Sequence, residues 1–197
     1  MVAFRKPKSL RDILVRAIVR TQQNETNECK GCGGRSDCQV CKLLIKGNKF
    51  SNMSKTRDYN LRKGTLHCNS CNVVYLMTCK TCEKQYVGCT TTRFRKRLNN
   101  YKSKLRLYYN RRKSGKLDKF ESIPQANLFE HVLSHENIKG FDSGKKKDED
   151  WNFWSFLLID SSPNEPRLLE RESFWQHLLQ TFLPLGLNEK EVSLKKF

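Results

Sequence analysis

The chain predicts an α/β (α+β) fold in which a small antiparallel sheet is flanked by helices and preceded by a cysteine-rich, zinc-binding extension. Three observations predict it. Two β-rich apolar runs lie close together at 73–77 and 85–88; helix-forming segments follow at 93–115, 125–136 and 166–182; and eight of the nine cysteines pair at C-x2-C spacing before residue 83. Three blocks follow from these patterns: a basic arm and helix at 1–28, a Cys-rich segment at 29–71, and a compact unit at 72–191.

In the first block Ser9 can cap a helix whose apolar residues Leu10, Ile13, Leu14, Ala17 and Ile18 recur at helical spacing. The second is rich in Gly, Asn, Ser and Lys, so its cysteines substitute for a core too small to form unaided. In the third, Val73-Val74-Tyr75-Leu76-Met77 and Gln85-Tyr86-Val87-Gly88 make a hairpin around the tight connection Cys79–Glu83. Thr90 to Thr92 offer N-caps for a long basic helix from Arg93 to Gly115. A second helix from Gln125 to Glu136 carries Leu128, Val132 and Leu133 on one side, Trp151 to Ile159 reads as a buried strand, and Pro166 to Phe182 as an amphipathic helix.

Composition bounds the function. With 38 Lys plus Arg against 20 Asp plus Glu the net charge is +18, and twelve basic residues face one acid between Arg93 and Lys119. Arg93, Arg95, Lys96, Lys102, Lys104 and Arg106, interleaved with Tyr101, Tyr108 and Tyr109, form a stretch that a phosphate backbone attracts, because each cation that neutralises a phosphate releases a counterion. Eleven Phe, three Trp and six Tyr are too many for a disordered polycation. No apolar run reaches the ~20 residues of a membrane span, and no signal-like block follows the basic N-terminus, which disfavours membrane and secreted readings.

Paired cysteines without a secretion signal favour metal over disulfides. Cys29, Cys32, Cys38 and Cys41 form a C-x2-C-x5-C-x2-C cluster able to hold one Zn²⁺; the set Cys32, Cys38, Cys41 and Cys68 is an alternative, and a third pairs Cys68/Cys71 with Cys79/Cys82. His131 and His135, four apart on a helix, present both imidazoles to one face and complete a Cys2His2 set with Cys79 and Cys82. Cys89 is left over as a small buried hydrophobe, and His67 and His177 as a loop and a helix residue.

Val73-Val74-Tyr75, Tyr86-Val87-Gly88, Arg97, Leu169-Glu170-Arg171-Glu172-Ser173-Phe174-Trp175 and Gly186-Leu187-Asn188 occur in an order and spacing that resembles GIY-YIG endonucleases. The Cys79-x2-Cys82 pair between the tyrosine motifs, Arg5-Lys6-Pro7-Lys8-Ser9-Leu10-Arg11-Asp12 and the ending Leu187-Asn188-Glu189-Lys190 resemble the endonuclease portion of Penelope-like retroelements over residues 4–191. The reverse transcriptase that precedes this module in such elements has no counterpart in the chain, so the expectation is a fragment or free-standing derivative, with a reverse transcriptase as partner in the parent element.

The resemblance implies Mg²⁺-dependent hydrolysis of a DNA phosphodiester, nicking of target DNA, and a nuclear location. It implies Tyr75 as general base or its partner, Tyr86 as positioner of water or phosphate, Arg97 on the scissile phosphate, Glu172 on the Mg²⁺ and Asn188 in support, and it strengthens the Cys2His2 zinc assignment. The chain departs from the pattern at Val73 and at Tyr101, where many members carry His one turn after the Arg. A phenol ionises near pH ~10 and is a poorer base. The competing expectations are a catalytically lapsed nucleic-acid-binding zinc protein and a protein-interaction zinc module.

Overall fold

A computed structural model describes residues 28–29, 32, 38–61, 64–115, 125–135 and 153–189. The helix expected after Ser9, the charged loop at 145–150 and the final Lys190 of the C-terminal motif lie outside them. In chain order the elements are β1 (Glu28–Cys29), α1 (Gln39–Leu43), β2 (Lys49–Ser51), β3 (Asp58–Asn60), β4 (Thr65–Leu66), β5 (Val73–Cys79), β6 (Gln85–Thr90), α2 (Phe94–Lys113), α3 (Ala126–Ser134), β7 (Trp154–Ser161) and α4 (Glu165–Leu179).

β5 is the centre of an antiparallel sheet of order β6-β5-β7. It is buried along nearly its whole length, so it reads as a continuous apolar run rather than an alternating one. Its register sets Tyr75 opposite Gly88 and Met77 opposite Tyr86 on β6. By strand alternation Tyr75, Met77, Tyr86 and Gly88 share one face, and Val74, Leu76, Val87 and Cys89 the other.

α2 covers the first face. Phe94, Leu98, Tyr101, Leu105 and Tyr108 recur every three or four residues and are all buried. The Phe94 ring stacks at 5.3 Å from Tyr75 and 5.7 Å from Phe156 of β7. α3 braces α2 from behind, with Phe129 against Tyr108 and Glu130 accepting from the Tyr108 hydroxyl while pairing with Arg112 at 2.6 Å. The capping by Thr90–Thr92 is not found: the cap position is Arg93, no side chain caps it, and the Phe94 and Arg95 amides donate to the Ser70 and Cys68 carbonyls at 3.0 and 2.9 Å. Main-chain acceptors brought from another segment satisfy donors that a local hydroxyl would otherwise take.

α4 covers the second face. Asn164 caps it by accepting from the Arg167 amide at 3.2 Å, and Pro166 lies in its first turn. Its Trp175 indole donates to the buried Asp160 at 3.0 Å, and Arg171 donates to both carboxylate oxygens at 2.6 and 2.7 Å, so the one deeply buried acid of β7 is fully paired. Phe50 and Tyr59, opposite each other in the β2–β3 hairpin, pack on the Trp175 ring at 5.2 and 5.9 Å. This hairpin was not anticipated.

Both rims of the sheet are occupied. On β7 the Ile45 amide donates to Phe156 O at 2.7 Å. On β6 the Leu187 amide reaches Gln85 O at 3.0 Å, Asn188 accepts from Val87 N–H at 3.0 Å and donates to Val87 O at 2.8 Å, and the Cys89 amide donates to Glu172. The segment bearing Leu187 and Asn188 is itself folded back, with Asn188 N–H on Thr181 O and Leu183 N–H on Asn188 O at 2.8 and 2.9 Å. A Cβ on Gly186 would stand 2.2 Å from Thr181 O, so only glycine fits there. The Leu183–Pro184 bond is cis.

Asn188→Ala leaves the buried Val87 N–H unpaired and the Val87 carbonyl with only the longer bond from Gln176 Nε2 at 3.4 Å. Urea unfolding should show a loss of about 1–3 kcal/mol, the cost of one orphaned buried group, with Asn188→Asp losing less because it retains the acceptor.

Candidate active site and metal centres

The site is built around a phenol with no access to water. Tyr75 is 0% exposed, so its hydroxyl must bond within the protein. α2 supplies the partners: Tyr101 Oη stands 2.8 Å away, and Arg97 donates from Nε to Tyr75 Oη at 3.3 Å and from Nη2 to Tyr101 Oη at 3.5 Å. Four residues apart on one helix, Arg97 and Tyr101 share a face, and the guanidinium carbon lies 4.8 Å from the Tyr101 ring centroid. Tyr86 joins from β6 by a hydrogen bond to Tyr101. The glycine after Tyr86-Val87 is required by space: a Cβ on Gly88 would lie 2.6 Å from Tyr75 Oη and 2.7 Å from Tyr86 Cε1.

Glu172 reaches the same strand from α4. It accepts from the Cys89 thiol at 3.0 Å and from the Cys89 amide, and its charge acts on Arg97 and on Tyr86. Phenols and guanidinium on one face and carboxyl on the other therefore meet around the rim of β6.

Burial, and then the neighbouring Tyr101, hold the Tyr75 phenol well above its ordinary range; burial and then Tyr101 and Tyr75 do the same to Tyr86. Both are neutral hydrogen-bonding groups near pH 7. Burial also raises Glu172, against the pull of Cys89 and Arg97. Burial and the Glu172 charge push the Cys89 thiol up, so it is a neutral donor.

The sequence reads Tyr101 as a departure from a pattern and as one of the tyrosines interleaved in the basic stretch, whereas here it is buried and is the hub that bonds Tyr75, Tyr86 and Arg97. At 2% exposed it touches no substrate and acts by positioning its neighbours. Asn188, expected among the catalytic residues, spends both ends of its amide on Val87 and acts through β6 instead.

Two donor sets converge elsewhere. Cys79, Cys82, His131 and His135 have their ligand atoms within 4.8 Å of one another, with Cys79 Sγ and Cys82 Sγ each 3.4 Å from a histidine Nε2 and the two Nε2 atoms 3.2 Å apart. A tetrahedron with bonds of ~2.3 Å to sulfur and ~2.0 Å to nitrogen has S···N edges of about 3.5 Å and N···N edges of about 3.3 Å, so the four atoms stand as a zinc ion would hold them. Burial, then His135 and Lys84, lowers His131 to about 4, leaving the neutral imidazole a ligand needs.

The second set is Cys32, Cys38, Cys41 and Cys68, the arrangement that ties the N-terminal block to the start of the compact unit. Cys38 and Cys68 sulfurs are 3.9 Å apart, the edge of a Zn–S₄ tetrahedron. Burial opposes the Cys38 thiolate, but hydrogen bonds from the Cys41 amide and the surrounding thiols bring it down to about 6, while burial pushes Cys41 up to about 12. Cys29 pairs through its backbone with Leu66, and its side chain lies outside the described atoms. Cys71 is exposed and in neither set, which excludes the Cys68/Cys71 with Cys79/Cys82 arrangement.

Arg95, expected on nucleic acid, donates instead to Cys38 and Cys68 sulfurs at 3.3 and 3.5 Å. Its charge offsets that of the thiolates. Arg93, Lys96 and Arg106 are exposed on α2, and Lys102 and Lys104 half-buried. Among the described residues no helix is long and apolar enough to cross a membrane.

The model of the GIY-YIG catalytic domain matches residues 71–184. The chain belongs to the GIY-YIG family. No curated protein and no solved structure matches it. The matched span of this GIY-YIG domain runs from β5 through α4, so it includes the phenol cluster, Arg97, Glu172 and the Cys2His2 set.

Two measurements test these centres. Elemental analysis of the purified GIY-YIG protein should give two zinc ions per chain, falling to one in Cys68→Ser and in His135→Ala and staying at two in Cys29→Ser and Cys71→Ser. The raised Glu172 means the folded state holds a proton that the unfolded state releases, so stability declines as pH rises from the ordinary carboxylate range through the raised one. Glu172→Gln should therefore raise Tm at pH 7.5 and leave it nearly unchanged below the ordinary carboxylate range.

Proposed function

We propose that the protein is a DNA endonuclease that nicks one strand by hydrolysing a phosphodiester with Mg²⁺, and that it derives from a Penelope-like retroelement. The observation that carries the reading is the convergence of Arg97, Tyr86 and Glu172 around the rim of β6, with Tyr75 and Tyr101 bonded behind them. One buried carboxylate oxygen pair suits Mg²⁺, which is held by few protein ligands and keeps several waters. Bound at Glu172, that ion would supply Lewis acidity to the phosphate and an activated water.

The remaining chemistry belongs to the chain. Arg97 stays charged and donates to the phosphate oxygens on which negative charge develops. Its own position is fixed by Tyr75 and Tyr101, so little reorganisation is needed when substrate arrives. Tyr86, at 8% exposed, is the reachable phenol and, being neutral, orients water or a phosphate oxygen by donating. Tyr75, expected as the general base or its partner, is sealed off and neutral, and serves by holding Arg97.

The Cys79/Cys82 and His131/His135 convergence supports the retroelement origin, and the exposed cations of α2 support DNA as substrate. A nuclear location and a reverse transcriptase partner in the parent element go with that origin. A second reading, a DNA-binding protein whose cleavage has lapsed, is favoured by Tyr101 in place of histidine and by two phenols that do not accept protons near pH 7.

Plasmid nicking separates the two. With Mg²⁺ the wild type should convert supercoiled DNA to open circles, and Arg97→Ala and Glu172→Ala should be slower by about 10²-fold or more, the usual effect of removing a charge-stabilising group. Equal rates for all three, with salt-dependent binding intact, would establish the lapsed reading.

A further inference from the structure

The segment 181–187 has a use that neither the catalytic cluster nor the metal centres absorb. Leu183 and Leu185 are 49% and 59% exposed, the two most exposed large apolar side chains among the described residues, and Pro184 between them is exposed as well. They are held out by a built frame. Leu183 N–H bonds Asn188 O, Gly186 N–H bonds Phe182 O, and the Lys84 ammonium reaches across to Pro184 O at 3.1 Å. The Phe182 ring is pinned at 5.1 Å by His177. Leu183, Pro184 and Leu185 thus form one contiguous apolar tip, the kind of surface that marks an interaction site.

Their place selects the partner. Leu187 N–H bonds Gln85 O, so the tip is anchored to the residue beside Tyr86. Two further residues of chain, at no more than 3.8 Å each, put the Leu185 backbone within about 15 Å of Tyr86. Duplex DNA rises 3.4 Å per base pair, so this is within about four base steps of a phosphate seated at Tyr86. The bonds to Lys84 and Gln85 set the tip at the end of β6 nearest the β5–β6 turn, so a duplex seated at Tyr86 and running toward that turn passes it, and the chain's charge of +18 draws such a polyanion in.

We infer that Leu183 and Leu185 form an apolar wedge that enters the substrate duplex near the cut and unstacks a base step. Apolar side chains inserted between bases kink DNA and widen the surface that it presents to the protein. For a nickase the kink would open the backbone of one strand at a fixed distance from the scissile phosphate. The inference rests on the nuclease reading.

The test uses the zinc-loaded full chain without Mg²⁺ and a series of duplexes that carry 2-aminopurine at successive positions around a mapped nick. Binding should raise fluorescence several-fold at one or two positions within about four steps of the nick and nowhere else. The double variant Leu183→Ala/Leu185→Ala should lose that rise, bind the duplex roughly tenfold more weakly, as expected for truncating two apolar contacts, and keep its salt dependence. Leu183→Met/Leu185→Met should retain it, and an unchanged Tm in both variants excludes misfolding. Binding with no local rise, or a rise that survives the alanine variant, overturns the wedge and leaves the nuclease reading intact. A shift from dimer to monomer in the alanine variant overturns it in favour of a second copy of the chain. Failure to bind or nick any duplex removes the nuclease reading and the wedge with it.

Discussion

The hydroxyl of Tyr75 has no water to bond, and much of the molecule is arranged around that constraint. A buried phenol without a partner loses on the order of 1–3 kcal/mol, so Tyr101 and Arg97 must be within reach, and they can be only if α2 lies across β5 at one rotation and one height. The phenol also needs room, which forbids a side chain at position 88 on the paired strand. The cation proposed to meet the phosphate is therefore placed by a core requirement. Within the one cluster Tyr86 and Arg97 lie toward the rim and Tyr75 and Tyr101 behind, so the groups proposed to meet substrate are held by groups that serve stability.

The start of α2 shows a second coupling. Its first amides are satisfied by carbonyls of the segment 68–70, and Cys68 in that segment also presents its sulfur to Cys38 and to Arg95. An ion held by the four thiols would thus fix the loop that caps the helix carrying Arg97, two residues beyond Arg95. The other donor set grips the β5–β6 turn through Cys79 and Cys82 and the end of α3 through His131 and His135. Each metal centre would anchor one end of the layer that forms the active face.

Long elements were legible in the sequence because each carries its own signal. β5 is an uninterrupted apolar run, α2 and α4 carry periodic buried positions, and the Cys2His2 set follows from ligand spacing. What could not be read depends on contacts between distant residues. The three-residue strands of the β2–β3 hairpin have no periodicity to detect, and they exist because Phe50 and Tyr59 pack on Trp175 more than a hundred positions away. The cap of α2, the thiol contacts of Arg95 and the double bond of Asn188 to Val87 likewise arise from chain segments that meet only after folding. Tyr101 was noticed for being unlike a histidine, and its part as a hub appears only when β5 and α2 are set face to face.

The closed rims of the central sheet have a consequence for how this protein can associate. The outward amides and carbonyls of β6 already bond Asn188, Leu187 and Glu172, so that rim offers little ladder for a newcomer to extend, while β7 is tied on its outer side by Ile45 at Phe156. Edge-to-edge pairing along β6 therefore has little purchase on the native molecule, and that strand stays protected until Asn188 or Glu172 lets go.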